Sequence, residues 1–156
     1  MNRFFLLPLI GLFLSTAPLF AGECSSSAYE TLVAEGKSAD GAREWGRSVE
    51  AYGRILAECR AEVKDADLVK VYDALSVAQL MRENCADAIE NAKKCLELDN
   101  RYNACMMTAA KCYESLGDRS MALEYAKAAV DAGGHDEYSS AVAIYAKDFL
   151  KRIEKK

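Results

Sequence analysis

Six cysteines, one histidine and a scatter of carboxylates are the residues of this 156-residue chain with the chemistry for a reactive or metal-binding site. The cysteines are Cys24, Cys59, Cys85, Cys95, Cys105 and Cys112. No two of them stand in a Cys-x-x-Cys, and His135 has no second histidine to work with, so the spacing does not suit zinc. Redox-active pairs sit close in sequence with a lowered thiol pKa, and these cysteines are spread too widely for that. His135 falls in the run Gly133-Gly134-His135-Asp136, which reads as a solvated loop. Glu83, Asp87, Glu90, Glu97 and Glu124 have the spacing of solvated helix faces that pair with nearby lysines. Ser25-Ser26-Ser27 reads as a linker and helix cap. No nucleophile, base and orienting group come together. The sequence therefore predicts no enzyme, no metal and no cofactor.

An even cysteine count has a different meaning if the chain is exported, and its start reads as an export signal. Arg3 precedes an apolar run from Phe4 to Leu14, Ser15-Thr16-Ala17-Pro18 loosens its end, and Ala21 supplies a small residue for cleavage. Residues 1–21 are thus expected to be a signal peptide. A permanent anchor fits less well, because Pro8 and Pro18 interrupt a run barely long enough to span. Lipidation of Cys24 is disfavoured by Glu23, where that signal wants a small residue. Export to the periplasm or beyond makes the six cysteines a disulfide framework. Without Arg3 the chain keeps 19 basic against 24 acidic residues. That balance offers no basic stripe for phosphates and argues against nucleic acid.

Beyond residue 21 there is no proline, and Ala, Glu, Lys, Leu and Met dominate. No segment alternates with a period of two. Breakers recur instead at Gly41, Asn84, Asn100, Gly117 and Gly133-Gly134, and Asp118 is placed to cap a helix. Seven helices are predicted, at about 26–40, 43–60, 66–82, 85–98, 101–116, 119–132 and 136–154. Short loops between them imply antiparallel hairpins.

An internal period then organises the chain. Ala88-Ile89-Glu90-Asn91-Ala92-Lys93-Lys94 returns 34 residues later as Ala122-Leu123-Glu124-Tyr125-Ala126-Lys127-Ala128, with four positions identical. Tyr113, Gly117-Asp118, Ala122 and Ala129 mark one unit at 103–136. Ala88 and the stretch Cys95 to Asn100 mark another at 69–102. Leu32, Gly36, Tyr52 and Ile55 mark a looser one at 29–62, with Ser48 at its small-residue site. These residues resemble the tetratricopeptide repeat family, whose unit is a 34-residue helix–turn–helix. The resemblance implies an all-α solenoid of about three hairpins in residues 22–156, with 137–154 as its cap. Exported Sel-like cysteine-rich repeats, which can carry enzymatic activity, fit less well because their longer glycine-rich loop is missing.

Helical geometry limits how the cysteines pair. Cys85 and Cys95 share one helix about 15 Å apart, and Cys105 and Cys112 share the next about 10 Å apart, too far for either pair to bridge. Facing residues of a hairpin share a midpoint in its loop. Cys95 and Cys105 have theirs at Asn100, Cys85 and Cys112 between Leu98 and Asp99, and Cys24 and Cys59 between Gly41 and Ala42. The expected bridges are Cys24–Cys59, Cys85–Cys112 and Cys95–Cys105.

In the family, the first helix of each hairpin lines a concave groove. Carried over by position, that groove would show Glu30, Val33 and Lys37, then Lys70, Asp73, Val77, Leu80 and Met81, then Ala104, Met107, Lys111 and Glu114. Lys70 and Lys111 are its only partial substitutes for the basic cluster with which some members hold a peptide carboxylate. Val77, Leu80, Met81 and Met107 suggest an apolar patch for a helix or extended segment. They would lose that role if the terminal helix, with Ala143, Ile144, Phe149 and Leu150, crossed the groove. The expectation is a non-enzymatic module binding a protein or peptide, with no stable membrane insertion after signal cleavage. A self-associating envelope component remains the alternative, so a homo-oligomer stays open.

Overall fold

The computed structural model describes residues 24–134 and 136–155. The expected signal peptide and His135 lie outside the described residues. Within them run seven α-helices and no strand: α1 (Ser26–Ala42), α2 (Trp45–Arg54), α3 (Asp65–Met81), α4 (Cys85–Leu98), α5 (Asn103–Ser115), α6 (Arg119–Ala132) and α7 (Glu137–Glu154). Helices α1–α2, α3–α4 and α5–α6 form three hairpins, stacked through α2 on α3 and α4 on α5. Helix α7 packs on α6 and α5. None of the described helices is long and apolar enough to cross a membrane.

Local chemistry explains most of the boundaries. Ser25, Asn84, Asp118 and Asp136 each accept a hydrogen bond from the backbone N–H three residues on, at Ala28, Asp87, Met121 and Ser139. Each satisfies a donor that the first helical turn leaves open. Gly117, at φ 80°, ends α5 in the left-handed region where a Cβ would be strained. The end of α1 differs from expectation. Gly41 lies inside α1, and Arg43 takes the left-handed position at φ 58°. Helix α2 runs on as a π-turn, Ile55–Cys59, an insertion that turns Cys59 into the core.

Small residues let the hairpins close. Ala78, Ala88, Ala92, Ala109, Ala110, Ala122, Ala126 and Ala129 are fully buried where helices touch. In the first hairpin the approach needs Gly36, because a Cβ there would come within 2.6 Å of the Tyr52 ring. Tyr52 donates to Asp40 Oδ2 at 2.9 Å, and Ser48 donates to Asp40 Oδ1 at 2.5 Å. This buried network occupies the place where the other hairpins bury alanine. Burial, the bond to Asp40 and the carboxylate's charge all push the Tyr52 phenol up in pKa.

Helix α7 completes the stack without crossing it. Ala146, Phe149 and Ile153 join Met106, Met107, Ala110 and the α6 alanines in one apolar cluster. Arg152 grips Glu114 through two bonds of 2.7 and 2.8 Å, and Arg119 donates to the Glu154 carbonyl. Asn103, 3 % exposed, donates to the Ser139 carbonyl at 2.7 Å. Gly133 leaves room for α7, since a Cβ there would meet that of Ala143 at 2.3 Å.

Candidate functional site: the face shared by α3, α5 and α7

Cysteines and groove residues were the sequence's two candidate sets, and the structure sorts both. Cys24 is bridged to Cys59 across the first hairpin, with Cα atoms 4.8 Å apart. Cys95 is bridged to Cys105, joining α4 to α5, with Cα atoms 6.5 Å apart. Cys85 and Cys112 differ from expectation: both are buried thiols rather than a third bridge. They still meet, hydrogen-bonded to each other, beneath Ala88, Ile89, Leu80 and Tyr113. Burial and the neighbouring Cys85 push the Cys112 thiol far up, so Cys112 holds its proton and is no thiolate nucleophile. Among the described residues no cluster of three or more histidines, cysteines or carboxylates is suited to a metal.

Four of the expected groove positions are buried or already engaged. Met107 is 4 % exposed because α7 continues the stack over it. Leu80 turns to the Cys85–Cys112 cluster. Glu114 is taken by Arg152 on α7, and Ala104 is buried. Val77 and Met81 remain open, 36 % and 51 % exposed. They follow Asp73 at helical spacing on α3, so the three form one stripe. Lys70 pairs with Asp67 at 3.0 Å. Lys111 lies over the Tyr145 ring, 4.6 Å from its centroid, and links α5 to α7.

Asp73 is the unusual member. Its Oδ2 accepts from the Tyr102 hydroxyl over a long 3.4 Å. Its Oδ1 lies 3.7 Å from Cys105 Sγ, which is bridged and has no proton to donate. No ion pair compensates it among the described residues, and its charge reaches Tyr52, Tyr102 and Tyr138. Burial raises its pKa to about 6, against the lowering effect of the Tyr102 bond. The tyrosines are the site residues that sequence reasoning missed. The spacing of Tyr138 and Tyr145, seven residues apart on one helix, was the available signal. Both are exposed, at 56 % and 48 %.

Helix α5 thus forms a floor between two lined walls, Asp73–Val77–Met81 on α3 and Tyr138–Tyr145 on α7. An open apolar and aromatic face with one buried charge is suited to recognition.

The class defined by this arrangement is a tetratricopeptide-like helical repeat. No family model matches the chain, and no curated protein matches it in sequence. Solved structures do. PcrH from Pseudomonas aeruginosa aligns with a TM-score of 0.74 at 17% identity, over 83% of this chain and 94% of its own. The Yersinia enterocolitica type III secretion translocator chaperone SycD aligns at 0.73 and 12% identity, over 86% and 89%. The Arabidopsis OM64 TPR domain aligns at 0.65 and 18% identity, over 81% and 96%. At such identities the likeness is one of fold.

Proposed function

We propose that this chain is an exported, non-enzymatic interaction module that binds a segment of another protein on the face shared by α3, α5 and α7. The observation that carries the reading is the open stripe of Val77 and Met81 on α3 together with the exposed Tyr138 and Tyr145 on α7. Proteins of similar fold give it support. PcrH was solved in complex with the chaperone-binding region of PopD, and SycD with a peptide of the translocator YopD. The leader-like residues 1–21 and the bonds Cys24–Cys59 and Cys95–Cys105 favour an oxidising compartment, periplasmic or extracellular.

A photo-crosslinking amino acid at position 77, compared in cells with one at the exposed Lys93 on α4, tests this. Crosslinking of a discrete protein from position 77 and not from 93 is the expected result. Equal yields from both positions, or none from 77, would overturn it.

A further inference from the structure

Asp73 is a largely buried carboxylate with no cation paired to it among the described residues, on the α3 wall beside α5. Lys70, one turn earlier, is turned to Asp67, and Lys111 rests on Tyr145. A charge desolvated to this degree is costly unless paired. The Tyr102 hydroxyl, at 3.4 Å, compensates it weakly. The second near group, the bridged Cys105 sulfur, cannot donate. Tyr138, whose phenol feels the Asp73 charge, is 56 % exposed. A carboxylate flanked by two phenols, one offering an open aromatic face, is the environment that a primary ammonium or guanidinium completes, by ion pair and by cation–π contact. Asp136 adds a second negative charge that Tyr102 and Tyr138 both feel. The chain's net charge of −4 favours the approach of such a group.

Resting on the binding role just given, we infer that Asp73, with Tyr102 and Tyr138, is the receptor for a lysine or arginine side chain of the bound segment. Val77 and Met81 lie one and two turns further along the same stripe. The segment should therefore carry one basic residue followed, at a fixed distance, by apolar ones. The basic residue supplies the charge that Asp73 lacks, and the apolar residues cover the methionine and valine.

Selection from a random peptide phage library against residues 22–156, in parallel with the same protein carrying Asp73→Asn, tests the inference. The wild type should enrich peptides with lysine or arginine at one position. The Asp73→Asn protein should keep the apolar preference and lose the basic one. In a follow-up by fluorescence anisotropy on a selected peptide, lysine→norleucine should weaken binding at least tenfold to the wild type and less than twofold to Asp73→Asn. Tyr138→Ala should weaken the lysine peptide severalfold more than it weakens the norleucine peptide. Wild-type selection without a fixed basic residue, or identical selections by the two proteins, would overturn the assignment while leaving peptide binding intact. Recovery of no binding peptide by either protein would overturn the binding role itself.

Discussion

Single residues hold the first hairpin together and tune the candidate site. Gly36 is tolerated as glycine because the Tyr52 ring occupies the space of a side chain. Gly36→Ala should lower unfolding free energy by about 1–3 kcal/mol, since the ring must leave a bonded position. Urea denaturation measures this, and a value within error of wild type would contradict it. Asp73 carries a second expectation. Its folded pKa, about 6, lies above the unfolded carboxylate value, so the folded state binds the proton more tightly. Stability from this group is fully present below about pH 4 and is lost as pH rises through about 6. The groups facing it are Tyr52, Tyr102 and Tyr138, which stay neutral across that range, and the Cys95–Cys105 bridge, which does not titrate. Asp73→Asn should therefore flatten the pH dependence of unfolding between about pH 4 and 6. The acidic residue was visible in the sequence, but its desolvation was not. That arises from Tyr102, Tyr138 and a disulfide brought in from three other elements.

Helices were more legible than side chains. Asn84, Asp118 and Gly117 marked ends that the structure uses, because a cap or a left-handed turn is decided by residues within a few positions. The π-turn at Ile55–Cys59 had no sequence mark, since its hydrogen-bond register is set by packing against α1 and α3. Met107 was misplaced for a related reason: its position in the repeat says groove, while α7, continuing the stack, says core. Phe149, 3 % exposed, is the side chain that seats α7. Phe149→Ala should cost about 3–5 kcal/mol, read as a lowered midpoint in chemical denaturation. A near-neutral effect would mean that α7 is not part of the cooperative unit. Between α4 and α5, Cys85 and Cys112 already touch. Exposure to a disulfide oxidant should close them, with two thiols giving up two protons and two electrons to that oxidant. Non-reducing peptide mapping should then show a Cys85–Cys112 linkage, and a Cys85–Cys105 peptide would contradict the pairing.

At the scale of the whole molecule, three hairpins and a terminal helix make mostly neighbour contacts, as repeat arrays do. Such a stack has few long-range ties, and the covalent ones matter accordingly. The Cys24–Cys59 bond spans 35 residues and the Cys95–Cys105 bond spans 10. Chain entropy assigns them about 4 and about 3 kcal/mol. Replacing Cys24 and Cys59 by serine should lower stability by most of the first figure and leave the helical circular dichroism intact. Stability unaffected by the double substitution would show that the first hairpin closes without its bridge. The stack also leaves α3 and α7 apart over α5, and that separation creates a face in place of a closed bundle.

Where a peptide sits on that face is the most direct question. A peptide from the selection, titrated into isotope-labelled protein, should shift amide resonances at Asp73, Val77, Met81, Lys111 and Tyr145. Residues on the outer helices α2, α4 and α6 should be unmoved. Shifts centred on those outer helices, or spread evenly over the molecule, would contradict the account.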